Sequence, residues 1–374
     1  MQSGKAKSLI GFAAVVLLFG LVVVRAQVAF TSLYIFGDGI STTTNNPSAG
    51  QYYYGLRRSN GRVWAEVLAQ RQGLGANSTT NVNWSNSSNN WSYYGQYSSN
   101  LAQNLNSFHA PSDAATALFV VWVNNADFVN DMGTIYPSLN IAMWMNAVNQ
   151  SLTNHWRVIT NLYYAKGART LVMPKAVDIT EIPEYNGSPA ADKSFIRQRI
   201  IDFNTGFTAL LNQARTSLPG MTIYEPDFFS LLDNILTNAA AYGLTNVQSD
   251  GANTDVIEDD SLADKSLNGP GTNYVFWDAT DPTAKAHEVM ADVVQQIIAP
   301  VRISQITLLN GTNRLDLANA PIGLNGVVQA GPNFVNWMSV TNFKSTNVTQ
   351  ALFVPVSGPL QFYRLNFSFA WTWP

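Results

Sequence analysis

No stretch constrains this chain more than Leu33-Tyr34-Ile35-Phe36-Gly37-Asp38-Gly39-Ile40-Ser41. A short apolar run ending in a turn signal reads as a strand buried on both faces, the kind a parallel sheet requires. Gly37 and Gly39 then permit a sharp turn and a close approach of backbone to ligand. The polar run from Ser41 to Asn46 can cap and open a helix. Strand, turn and helix start together place Asp38 and Gly39 at the carboxyl edge of a sheet, where open α/β folds bind their ligands.

The rest of the chain repeats this grammar. Ala117 to Val123 reads as a second buried strand, Thr170 to Met173 as a third and Met221 to Tyr224 as a fourth. Between them, 141–165 and 196–217 carry apolar residues at helical spacing, and Val63, Trp64, Val67 and Leu68 mark a helix that Ser59 or Asn60 would cap. Strands alternating with long helices imply an α/β domain, a three-layer α/β/α arrangement around a parallel central sheet. Residues 76–100 read as a surface loop near the mouth of the site, with aromatics that either stack on sugar or pack on one another, and 248–272 as a polar loop. After Pro300 the pattern changes to short runs at 303–309, 326–330, 334–343, 351–356 and 362–367, separated by Asn, Gly and Pro turns. The expected organisation is a large domain over 27–300 and a small all-β C-terminal module over 301–374.

Composition narrows the partners. The 374 residues carry a net charge of −3 and only 12% charged side chains, so no basic surface for nucleic acid is expected. Cysteine is absent, which removes any disulfide framework. Lys5 and Lys7 precede an apolar run from Leu9 to Val24, and Val24-Arg25-Ala26 fits a small-residue cleavage site. Residues 1–26 therefore read as a signal peptide and the product as secreted or cell-surface, an uncleaved anchor being the alternative. No later stretch is apolar enough to span a bilayer.

Four separated blocks resemble one family, the GDSL esterases and lipases, or SGNH hydrolases. Phe36-Gly37-Asp38-Gly39-Ile40-Ser41 is similar to its F-G-D-S-L-S, Ser59-Asn60-Gly61-Arg62 with Trp64 and Leu68 to its second block, Trp122 to Phe128 to its W-x-G-x-N-D-F, and Phe276-Trp277-Asp278-Ala279-Thr280-Asp281 with Pro282 and His287 to its last. Gly167-Ala168-Arg169, Pro219-Gly220 and Tyr242-Gly243-Leu244-Thr245 extend the likeness. The resemblance implies an SGNH-hydrolase-like fold. It also implies a nucleophile at residue 39, oxyanion donors from the Gly61 backbone and residue 126, a triad acid at Asp278 and a base at residue 281. Three of those positions depart from the pattern: Gly39 has no hydroxyl, Ala126 no amide and Asp281 no imidazole. His287 matches a later histidine of the family with a structural role.

A triad needs a hydroxyl, a base and an acid acting as a unit, and losing one member costs on the order of a million-fold in kcat. The expectation is a degenerate esterase that binds a glycan or acyl-ester ligand in the former cleft, with Asp38, Asn124 and Asn125 as candidate ligand contacts and no cofactor or metal. One alternative is hydrolysis by a carboxylate or cation-assisted route through Asp38, Asp278 and Asp281. A structural or adhesive surface protein is the other. The bland reading of Asp281 is a cap for the helix after Pro282.

Overall fold

The computed structural model describes residues 30–43, 50, 52–74, 89–356, 358 and 361–367. The proposed signal peptide lies outside them, as do residues 76–88 of the stretch 76–100 read as a loop. Among the described residues no helix is long and apolar enough to cross a membrane.

In chain order the large domain runs through β1 (Leu33–Gly37), α1 (Trp64–Arg71), α2 (Ser98–Ser107), β2 (Leu118–Trp122), α3 (Asn124–Thr134), α4 (Ile141–Tyr164) and β3 (Thr170–Val172). It continues with α5 (Pro183–Asn186), α6 (Ala190–Ser217), β4 (Thr222–Tyr224), α7 (Phe228–Thr237), the two-residue strands β5 (Gln248–Ser249) and β6 (Ala252–Asn253), and α8 (Ala284–Ile298). β1 to β4 form one parallel sheet in the order β1-β2-β3-β4, with Leu33 opposite Leu118, Leu118 opposite Thr170 and Thr170 opposite Thr222. Every residue of β1 and β2 is buried, as an all-parallel sheet covered on both faces requires.

Alternation along the strands divides the core. Tyr34 and Phe36 meet Phe108 on one face, with ring centroids 5.4 and 5.1 Å away, and Phe119 joins them. Trp122 points to the other face, where Trp64 of α1 and Phe228 of α7 meet it edge-on. α2, α4 and α6 pack together in one helical layer and α1 with α8 in the other.

Local detail departs from the sequence expectations at three points. The start of α1 is closed by Glu66, which accepts the Val63 N–H (3.0 Å) and pairs with Arg57, so neither Ser59 nor Asn60 caps it. Asn60 instead meets the first residue of α8, accepting the Ala284 N–H at 2.8 Å across the fold. α2 occupies the end of the stretch read as loop, because Ser98 and Leu101 to Leu105 turn their apolar side onto the core.

The C-terminal module comprises β7 (Arg302–Leu309), β8 (Thr312–Ala318), β9 (Asn325–Gly331), β10 (Met338–Lys344), β11 (Thr349–Pro355) and β12 (Phe362–Phe367). They make two antiparallel three-stranded sheets, β11-β8-β7 and β10-β9-β12, over a small core that includes Leu315, Leu317, Val328 and Val354. β8 is the strand the sequence pattern did not show. Its core face is only Leu315 and Leu317, alternating with Arg314 and Asp316. Asp292 of α8 ties the module to the domain through Arg71: Arg71 Nε donates to Asp292 Oδ1 (2.8 Å) and its Nη1 to the Ile322 carbonyl (3.2 Å).

Candidate functional site

The carboxyl ends of β1, β2 and β3 open onto a cavity of about 120 Å³ that is half open to solvent. Asp38 and Gly39 follow β1, Asn125 and Ala126 begin α3 after β2, and Val177, Ile179 and Ile182 follow β3. Tyr94, Tyr97, Thr280 and Asp281 complete the wall. Five of the residues singled out from sequence, Asp38, Gly39, Asn125, Ala126 and Asp281, therefore share one cavity at the sheet edge. An apolar cavity adjoins it, with Ile40, Val177, Ile182 and Thr280 lining both.

Asp38 caps the short 3-10 turn Gly39–Ser41, accepting the Ile40 N–H at 3.2 Å. Burial raises its pKa to about 7, because the desolvated carboxylate outweighs the backbone donors that favour it. A Cβ built on Gly39 would lie 3.2 Å from Tyr94 Cδ2, 3.8 Å from Arg58 Cδ and 3.9 Å from Asp281 Oδ1. Positions 39 and 281 are thus neighbours, at a separation that lets side chains there exchange a hydrogen bond. What occupies the space above Gly39 is the ring of Tyr94.

Arg58 organises the far wall. Its Nε donates to Asp281 Oδ2 (2.7 Å) and its Nη2 to Asp278 Oδ2 (2.9 Å) and Thr280 Oγ1 (3.2 Å), while its guanidinium lies 4.7 Å from the Tyr94 ring centre. Tyr53 adds a hydroxyl to Asp278 Oδ2 at 2.9 Å. One guanidinium faces two buried carboxylates, and burial together with Asp278 holds the Asp281 carboxyl above the ordinary range, against the pull of Arg58. Burial opposes the Arg58 charge, and the two aspartates more than restore it.

Asp281 is not a helix cap. α8 begins at Ala284 with Thr283 as its cap, whose hydroxyl accepts the Ala286 N–H (3.2 Å), and the Asp281 carboxylate is committed to Arg58 and to the Thr280 hydroxyl (2.6 Å). Asp278 does the turn-closing work, its Oδ1 accepting the N–H groups of Thr280 (2.9 Å) and Asp281 (2.8 Å).

The remaining candidates stand outside the cavity lining. Asn124 donates to the Pro174 carbonyl (2.9 Å), and Asp278 sits behind Asp281. Gly61 packs under α8: a Cβ there would come within 2.7 Å of Ala284 Cβ. Asn125 lines the cavity and fixes its Oδ1 on the Val177 N–H (2.9 Å); its Nδ2 has no partner among the described residues. Ser41 is fully buried and accepts from Trp64 Nε1 (3.0 Å), so it offers no hydroxyl to the cavity.

None of the chain's three histidines lines the cavity. His287 is fully buried in α8, and burial lowers its pKa to about 3, which leaves it a neutral packing group. Sequence reasoning missed Arg58, Tyr94 and Tyr97. Two adjacent arginines in a chain so poor in charge were a signal, but only the fold shows that Arg57 turns to Glu66 and Arg58 to the site.

A parallel sheet covered by helices on both faces, with a cavity at its carboxyl edge, defines the class, a three-layer α/β fold. The profile of the GDSL-like lipase/acylhydrolase family matches residues 33–294, and the chain belongs to that family. A GDSL esterase/lipase of Arabidopsis thaliana is 25% identical over 214 residues, covering 54% of this chain and 55% of that protein. A second from the same plant is 28% identical over 210 residues, covering 52% and 55%. The chain thus matches about half the length of these curated relatives. Among solved structures, an acetylxylan esterase of Geobacillus stearothermophilus overlaps 72% of this chain and 96% of its own, at 11% identity and a TM-score of 0.39, too low to carry an argument.

Proposed function

We propose that this chain is a secreted, ligand-binding member of the family that does not hydrolyse esters by the serine route, and that it holds a glycan or acyl-ester ligand in the cavity at residues 38–39, 125–126 and 281. The observation that carries the reading is the pairing at its centre. Gly39 and Asp281 stand side by side where the family places nucleophile and base, with no hydroxyl on the first and no imidazole on the second. Two features support it. The Asp281 carboxylate is held by Arg58, and the ring of Tyr94 fills the space over Gly39. Ala126 also carries no amide, a donor worth roughly 100- to 1000-fold in acyl-transfer sites.

A second reading rests on the two carboxylates that share the cavity. Asp38 and Asp281 both have raised pKa values, the property a general acid or base needs near neutral pH. Hydrolysis of short p-nitrophenyl esters by residues 27–374 separates the two. Background rates, with turnover appearing in the combined variant Gly39→Ser, Ala126→Asn and Asp281→His, support the binding reading. Turnover by the unaltered chain that is lost in Asp281→Ala refutes it and favours the carboxylate route.

A further inference from the structure

A further groove, open to solvent, lies between the start of α2, α3 and α4. It adjoins the Asp38–Asp281 cavity at Tyr97, which lines both. Its wall is mixed: Tyr97, Ile135, Met143 and Ala147 supply apolar surface and Asp127 and Asp131 carboxylates. Asn130, Asn146, Gln150 and Asn154 supply amides, Ser98, Ser99 and Ser151 hydroxyls, and no Lys, Arg or His lines it.

Charge decides what fits. An anionic ligand would meet no cation and two aspartates, Asp127 and Asp131. A divalent cation needs several oxygen ligands at once, yet Asp127 is already spent: Oδ1 accepts the Ser98 N–H (2.8 Å) and Oδ2 the Ser151 hydroxyl. That leaves Asp131, which the Asn130 side chain already meets, and burial together with Asp127 pushes its pKa up to about 7 against that hydrogen bond. No group of three or more potential metal ligands occurs among the described residues. A neutral ligand matches the groups the wall offers in greatest number, amides that both donate and accept.

Those amides are partly pre-set. Gln150 Nε2 donates to Asn154 Oδ1 (3.1 Å) and Asn154 Nδ2 to Ser98 Oγ (3.1 Å), a chain that holds two of them in place. Asn146 and Ser99, both exposed, have side chains with no partner among the described residues. We propose that this groove is a second binding site, taking a neutral, hydroxyl-rich chain, an oligosaccharide, whose end reaches past Tyr97 into the Asp38–Asp281 cavity. The proposal rests on the reading that this cavity holds a ligand, and among its candidate ligands it selects the glycan.

The test is calorimetric titration of the full chain with xylan-, cellulose- and mannan-derived disaccharides and hexasaccharides, with hexagalacturonate as the anionic control and calcium chloride alone as the cation control. At least one neutral hexasaccharide is expected to bind about tenfold tighter than its disaccharide. The double variant Asn146→Ala and Gln150→Ala, at exposed helix positions where alanine favours the fold, should remove that gain and leave disaccharide binding unchanged. No binding by any neutral hexasaccharide, equal binding of hexagalacturonate, a response to calcium alone, or an unchanged gain in the double variant would each overturn the proposal. Ester turnover would instead count against the binding-only reading of the cavity, so the two failures are distinguishable.

Discussion

Arg58→Met is the perturbation that most directly probes how this cavity is held. Methionine keeps an apolar stem against Tyr94 and removes the guanidinium. In the native protein that guanidinium serves two carboxylates whose side chains are only 6% and 4% exposed, those of Asp278 and Asp281. Breaking a buried pair by removing one partner costs about 3–5 kcal/mol, because the remaining charge is uncompensated. Here two charges are left behind, so the upper end applies when both are ionised. Protonation offers them an escape. Without Arg58, burial and the neighbouring Asp278 carboxylate raise the folded pKa of Asp281 further above its unfolded value, and the folded state binds more protons than the unfolded chain. Stability of the variant must then fall as pH rises through that window. The expected loss is therefore small at about pH 5 and approaches the full 3–5 kcal/mol only at about pH 9, above the value of about 8 at which Asp281 ionises in the parent. Urea unfolding followed by the fluorescence of the buried Trp64, Trp122, Trp144 and Trp277 reads it. Arg58→Met combined with Asp278→Asn and Asp281→Asn should recover most of the loss. A loss below about 1 kcal/mol at both pH values would place this cluster among surface ion pairs and refute the argument.

Three further outcomes follow from the same geometry. Gly61→Ala should destabilise by about 1–3 kcal/mol through overpacking, since its Cβ would sit 2.7 Å from Ala284 Cβ; a variant with wild-type melting behaviour would mean that α8 yields easily. Gly39→Ser meets only the edge of an exposed tyrosine ring at 3.2 Å, so its cost should stay under about 1 kcal/mol, and a larger loss would show that Tyr94 is rigidly held. Asp38 titrates near 7 in the fold against about 3.9 in the unfolded chain, so it opposes folding increasingly as pH rises between those values, by up to about 4 kcal/mol. Asp38→Asn keeps an acceptor for the Ile40 N–H and should gain stability over the parent from about pH 4 to 7; a parallel pH profile for the two proteins would contradict the raised value.

The order of the sheet was legible because the signals that make it are local. Apolar runs such as Phe119 to Trp122 bury on both faces whatever the distant chain does, and glycine turns such as Gly37 to Gly39 mark where each strand stops. Parallel strands send all their carboxyl ends the same way, which brings residues 38–39 and 125–126 to one edge, whereas 281 was pointed to only by the family resemblance. β8 was hidden for the opposite reason. Two leucines among charged and amide residues form a strand only because β7 and β11 pair with it from either side.

The sequence by itself determined which groups the cavity lacks, because the absence of a side chain at Gly39, of an amide at Ala126 and of an imidazole at Asp281 requires no coordinates. What stands in their place was decided only by the tertiary structure. Arg58 and Arg57 are adjacent and chemically identical, and a turn of the backbone sends one to Glu66 and the other 223 positions along the chain to Asp281. Tyr94 covers Gly39, and Tyr97 lines two cavities, through contacts between segments distant in sequence. A side chain's chemistry is written in the chain, but its partner, its burial and therefore its pKa are properties of the packed fold.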